Sequence, residues 1–343
     1  MGYVISNRPR QSTSSSTASD PYGARLTVAQ DAEGLATSRN PGSVRIIWGV
    51  RMYTRKKCLL VTNCTGDGIT YLLNMSDDFH QRYETRLVIC DYYAQVSDHL
   101  QPITDIVKGC DVLVYHHPDW MFTFTTEARD AFERHLAELR PEVVKISLPY
   151  AINQAFWPFA VPDPRNLEMN RPPSRHCHSS LPHLPHYQVG DGYILDLLEQ
   201  GLPPEEVITR YLALDVSTVV DLEKMMSYTI TSSERNERSG TVKVADFLAN
   251  QMRVAKLFNC HNHPSNRLLL HMANQILSQL DCRPVPETIL YRLQELIELE
   301  QPIHPSIGEY FGLSYANAET RYAVDRVRRL TFAEWVREYV YLA

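Results

Sequence analysis

Between Lys57 and Ser147 the chain alternates short β-rich runs with helix-like stretches, and this alternation restricts the fold more than any other feature. The runs are Cys58–Val61, Arg86–Cys90, Asp111–Tyr115 and Val143–Ser147. Between them lie Ile69–Asn74, Val96–Val107 and Thr125–Leu139. Parallel strands need long crossover connections, so strand, helix, strand repeated in this way predicts an α/β protein built on a parallel sheet with crossover helices. Ligands in such sheets bind beyond the carboxyl ends of the strands. Cys64 follows the first run and the turn His116-His117-Pro118-Asp119 follows the third, so the two are expected to face one cleft.

Cys64 is the strongest candidate for reactive chemistry. The sequence Asn63-Cys64-Thr65-Gly66-Asp67-Gly68 reads as a turn that opens a helix. A thiol at that place meets the positive end of the helix dipole and backbone N–H groups without intrahelical partners, which favour thiolate and can hold an oxyanion.

The rest of the chain divides by composition. Residues 1–43 are rich in Ser, Thr, Asn, Pro and Gly and bury too little apolar surface to offset their ordering entropy, which predicts a disordered tail ahead of one domain over 44–343. Residues 156–187 are Pro- and His-rich and read as a long loop. From about residue 190 to 343 the pattern is mainly helical: Asp191–Gln200, a helix opened by Pro203-Pro204-Glu205-Glu206, and Ser217–Arg238. Leu257–Cys260 reads as a return strand, and Pro264–Leu280, Pro286–Leu299 and Ala318–Tyr341 as helices.

A net charge of -6 without a polybasic run gives no general attraction to nucleic acid. Seven scattered cysteines without a Cys-x-x-Cys pair point to a reducing compartment. With no stretch of eighteen apolar residues and no secretory signal pattern, a cytoplasmic protein without an integral membrane segment is expected.

A second patch, Asn259-Cys260-His261-Asn262-His263-Pro264-Ser265-Asn266, places two histidines between a strand and a helix, where either imidazole can act as a base near neutral pH. His261-x-His263-Pro264 also suggests a zinc isopeptidase of the JAMM type, but no acid follows until Asp281 and the third ligand is missing. The tract His176-Cys177-His178 with His183 and His186 matches no ordered metal spacing, so no metal is expected. No phosphate loop and no full dinucleotide fingerprint occurs. Arg321, Arg326, Arg328, Arg329 and Arg337 are expected on one helix as a solvated face.

Asn63-Cys64 after the first run, Asp111–Tyr115, Ile146–Tyr150 with Phe156-Trp157-Pro158, and Leu257-Phe258 through Asn266 together resemble the WcbI-like polysaccharide-biosynthesis acetyltransferases over about residues 57–280. Thr62-Asn63-Cys64-Thr65 keeps the Asn-Cys of the family's Gly-Asn-Cys-Gln and differs on both sides. The resemblance implies a three-layer core of the SGNH or flavodoxin type and transfer of acetyl from acetyl-CoA to a sugar hydroxyl in capsule or other polysaccharide biosynthesis. It favours Cys64 and Asn63 as site residues and His263 over His261 as base. The reading then assigns the oxyanion to Asn63 and the amides near Thr65 and Gly66, with His117 as the alternative base. Thr65, Gly66, His261, Asn262 and Asn266 are expected to contact the carrier. The alternatives are an SGNH-like esterase with Cys64 as nucleophile, although the Asp of its Asp-x-x-His pair is replaced by Asn259, and a non-catalytic protein that binds CoA or a glycan.

Overall fold

The computed structural model describes residues 55–89, 107–117, 126–162, 189–295, 300–324 and 327–341. The tail 1–43, most of Val96–Val107, and the Pro/His-rich loop beyond residue 162 lie outside the described residues.

Strands β1 (Lys56–Thr62), β2 (Tyr83–Ile89), β3 (Val112–His116) and β4 (Val144–Leu148) form one sheet in the order β2-β1-β3-β4. Every neighbouring pair is parallel. These are the four expected runs, displaced by a few residues at their ends. Helix α1 (Thr65–Asn74) links β1 to β2, followed by the short α2 (Asp77–Arg82), and α3 (Thr126–Glu138) links β3 to β4. Side chains alternate across a strand, and β1 divides its apolar residues accordingly. Cys58 and Leu60 join one core with Ile69, Leu72 and Leu73 of α1, whereas Leu59 and Val61 join another with Phe132 and Leu139. A run that is apolar at every position is therefore buried on both faces, as a parallel sheet requires.

The order reverses between β1 and β3, because the chain adds β2 on one side of β1 and returns on the other. At such a reversal the crossovers leave on opposite faces and open a crevice beyond the carboxyl ends. Thr62 and His116 end their strands there.

Beyond the sheet, β5 (Ala160–Pro162) pairs antiparallel with β6 (Val189–Asp191). Then come α4 (Gly192–Glu199), α5 (Pro204–Leu212), α6 (Leu222–Asn236) and α7 (Ala245–Gln251). Helix α5 opens on the expected proline. Asp221 caps α6 by accepting from Lys224 N at 2.9 Å, so the polar helix begins later than Ser217. Strands β7 (Phe258–Cys260) and β8 (His263–Pro264) form an antiparallel hairpin of their own, which corrects the expectation that Leu257–Cys260 returns to the main sheet. Helix α8 (Asn266–Gln279) follows and packs along α1, with Leu268, Leu269, Met272 and Ile276 in the same core as Ile69, Leu72 and Leu73. The chain continues into α9 (Pro305–Phe311), the hairpin β9 (Tyr322–Ala323) and β10 (Arg329–Leu330), and α10 (Phe332–Tyr341). Among the described residues no helix is long and apolar enough to cross a membrane.

Two expected helices need correction. Of Pro286–Leu299, the described residues to Glu295 hold a 3-10 turn over Glu287–Tyr291 in place of an α-helix, and Gln294 and Glu295 accept from Asn266. Within Ala318–Tyr341 a hairpin precedes the helix, held by Ala323 N donating to Glu300 at 2.7 Å. The helix starts after a capping box in which Thr331 N donates to Glu334 at 2.8 Å and Glu334 N to Thr331 Oγ1 at 3.3 Å. Of the five arginines expected on one helix, Arg337 lies on α10, Arg321, Arg328 and Arg329 precede it, and Arg326 falls outside the described residues.

Candidate active site

The turn after β1 is built by Asn63. Its Oδ1 accepts from Thr65 N at 3.1 Å and from Thr65 Oγ1 at 2.6 Å, while its carbonyl accepts from Gly66 N at 3.0 Å. Asn63 thereby supplies the cap that α1 needs, and Cys64, which occupies the N-cap position, makes no side-chain capping bond. The Cys64 side chain is exposed, with its sulfur 3.4 Å from His263 Nε2.

Gly66 brings the helix close to the sheet, since a Cβ there would sit 1.9 Å from Thr62 Oγ1 and 2.7 Å from Leu87 Cδ1. Thr65 and Gly66 are both buried. The amides of Thr65 and Gly66, expected to hold an oxyanion and contact a carrier, donate here to Asn63 Oδ1 and to the Asn63 carbonyl. With Oδ1 engaged by Thr65, the donor that Asn63 has left for a ligand is Nδ2.

From β3 the contact to this turn comes from His116, one residue before the His117 considered as an alternative base. His116 Nε2 lies 3.3 Å from Thr65 Oγ1, and burial pushes its pKa down to about 4. The Thr65 hydroxyl gives its proton to Asn63 Oδ1 and lies against the imidazole, so His116, Thr65 and Asn63 form one connected series of polar contacts. His117 follows β3 half-buried.

The β7–β8 hairpin delivers the second half of the site. His263 presents Nε2 to Cys64 and Nδ1 to Cys260 Sγ, 3.0 Å away, and Asn262 Oδ1 accepts from the Cys260 thiol at 3.2 Å. Burial pushes His263 down to about 4, so its imidazole is neutral near pH 7 and able to accept a proton. His261 is held at about 4 by burial and by the charge of His263, and its carbonyl accepts from Asn153 N at 2.6 Å.

Asn266, expected to contact a carrier, is buried and supports the hairpin. Its Nδ2 donates to Gln294 O at 2.8 Å and its N–H to Glu295 at 2.9 Å, while Asn259 Nδ2 reaches the same carboxylate at 3.2 Å. Glu295 thus ties the end of β7 to the start of α8, on either side of His263.

Cys64 stands at the N-cap position of α1, and Ser265, two residues after His263, at that of α8, neither with a side-chain capping bond. Two helix N-termini therefore converge where the sulfur and the imidazole meet, and both dipoles favour negative charge there. An exposed sulfur beside a neutral imidazole can attack a carbonyl while the ring takes its proton. Reasoning from sequence did not single out His116, Cys260 or Glu295. His116 and Cys260 each lie within a motif that was singled out; Glu295 carries no local signal. Among the described residues no three His, Cys, Asp or Glu side chains converge to hold a metal ion.

A family model described as polysaccharide biosynthesis enzyme WcbI matches residues 57–285. Among solved structures, the fold is similar to one described as WcbI, a polysaccharide biosynthesis enzyme, in its native form without a disulfide bond between coenzyme A and a cysteine. The TM-score is 0.59 at 16% sequence identity, with 84% of this chain and 91% of that chain covered. The chain matches no curated protein.

Proposed function

The chain belongs to the WcbI family of polysaccharide biosynthesis enzymes, and on that footing we propose that it is an O-acetyltransferase that moves an acetyl group from acetyl-CoA to a sugar hydroxyl. The observation that carries the reading is the 3.4 Å approach of Cys64 Sγ to His263 Nε2. The solved WcbI is described with reference to coenzyme A and a cysteine, which supports a coenzyme A site beside Cys64. On this reading the reaction belongs to the cytoplasm.

The chemistry runs in two balanced halves. The Cys64 sulfur attacks the thioester carbonyl as its proton passes to His263 Nε2, and the oxyanion of the tetrahedral intermediate is met by Asn63 Nδ2 and by the field of the two helix N-termini. Collapse breaks the bond to coenzyme A, whose sulfur leaves with the proton from His263. The sugar hydroxyl then attacks acetyl-Cys64 while its proton passes to Nε2, and the Cys64 thiol reforms with that proton. In the shorter form of the same reading, His263 deprotonates the sugar hydroxyl for direct attack and Cys64 only lines the thioester pocket.

Intact-mass measurement after incubation with acetyl-CoA tests the covalent form. An acetyl adduct is expected that is absent in Cys64→Ala and is discharged by acceptor sugars. Full transfer by Cys64→Ala would leave only direct attack. Loss of acetyl esters to water with no dependence on coenzyme A would replace the transferase reading with the esterase one.

A further inference from the structure

His263 carries a different sulfur at each ring nitrogen: Cys64 at Nε2, 3.4 Å away, and Cys260 at Nδ1, 3.0 Å away. The two sulfurs differ in setting. Cys64 is exposed, whereas Cys260 ends β7 in the interior and touches Asn262 Oδ1 at 3.2 Å. Burial pushes Cys260 up to about 11, so near pH 7 it is a thiol with one proton to give. Asn262 Oδ1 faces that sulfur, and the backbone N–H groups of Asn262 and His263 also donate to it; in this arrangement one placement of protons gives every side-chain contact a donor. Cys260 S–H donates to Asn262, His263 Nδ1–H donates to the Cys260 sulfur, and Nε2 is left with its lone pair toward Cys64. In the other tautomer, Cys260 would spend its proton on Nδ1 and set two acceptors, its sulfur and Asn262 Oδ1, against each other.

We propose that Cys260 is a positioning residue for His263: its sulfur accepts the Nδ1–H, holding the imidazole in the tautomer whose Nε2 faces Cys64. This rests on the reading of Cys64 and His263 given above. Cys260 takes the place beside the base that a carboxylate or amide fills in other nucleophile and base pairs. A neutral thiol there fixes the ring without supplying the negative charge that would stabilise an imidazolium. The proton therefore leaves Cys64 as its sulfur attacks, rather than beforehand.

Long-range proton–nitrogen correlation spectra of the full chain, labelled with nitrogen-15, report the His263 tautomer directly. The rate of iodoacetamide alkylation at Cys64, read peptide by peptide, reports the consequence. The wild type is expected to show the Nδ1–H tautomer. Asn262→Ala frees the Cys260 proton for Nδ1 and should shift His263 toward Nε2–H, slowing Cys64 alkylation several-fold. Cys260→Ser should keep the wild-type tautomer and rate, and Cys260→Val should lose the preference. A wild-type Nε2–H tautomer, or the same tautomer and rate in Asn262→Ala and Cys260→Val, would overturn the proposal. Neither readout uses acetyl-CoA, so absent acetyl transfer with the expected tautomers counts against the transferase reading alone.

Discussion

A side chain on Gly66 would begin 1.9 Å from the hydroxyl oxygen of Thr62. The closeness sets how deeply α1 seats on the sheet, and with it where Cys64 stands. Gly66→Ala must push the helix outward or turn Thr62 away, and overpacking of this kind costs about 1–3 kcal/mol. Urea unfolding is expected to show that loss, with slower Cys64 alkylation in the folded protein. Wild-type stability would mean that the turn yields more easily than its packing implies.

Cys64 and His263 act on one proton, so their loss should not add. Removing a positioned base typically costs about 10²–10⁴-fold in rate. His263→Ala and Cys64→Ala are each expected to lower acetyl transfer by at least about a hundredfold, and the double variant by no more than the worse of the two. Steady-state kinetics on the three variants checks this. Multiplying losses would show that the two residues serve separate steps.

The parallel sheet was legible because burial on both faces leaves an unmistakable apolar run, as in Cys58–Val61, and because Cys64 and the hairpin histidines stand next to strand ends. What escaped was set by partners distant in sequence. Helix α7 has no capping side chain of its own; Glu237 supplies it by accepting from Val244 N and from Ala245 N, the latter at 2.9 Å. Glu295 reads as part of a helix until Asn259 and Asn266 are brought to its carboxylate. The start of α10 also escaped, within a helix expected from Ala318, although Thr331 and Glu334 write it locally. The pairing of Cys64 with His263, 199 residues apart, follows from two helices that start at one point, which no local pattern specifies.

Thr65→Val removes the hydroxyl that joins Asn63 to His116 while keeping shape and burial. Two hydrogen bonds are lost, each worth about 1 kcal/mol of stability, and the larger consequence falls on Asn63, whose Oδ1 loses its shorter bond. If Asn63 Nδ2 meets the oxyanion, kcat should fall about tenfold while KM for acetyl-CoA stays near the wild-type value, because that contact forms only in the transition state. A rise in KM with unchanged kcat would move Asn63 from oxyanion donor to ground-state binding.

Acid should destabilise the fold through its buried histidines. His116, His261 and His263 are held at about 4, well below the ordinary value near 6.5 that they regain on unfolding. Between those limits the unfolded chain binds protons at these sites that the folded chain does not, so stability falls as pH drops from about 6.5 to about 4. Asp191 works against this. Burial raises it to about 6, so the folded state holds a proton that the unfolded state has released, and its contribution is lost as pH rises through 6. Three groups outweigh one, and each net proton is worth about 1.4 kcal/mol per pH unit. Denaturant midpoints should therefore decline steadily below pH 6.5, and more steeply in Asp191→Asn, which removes the opposing group. A flat profile would mean that these imidazoles bind protons alike in the folded and unfolded chain, so that burial does not depress them.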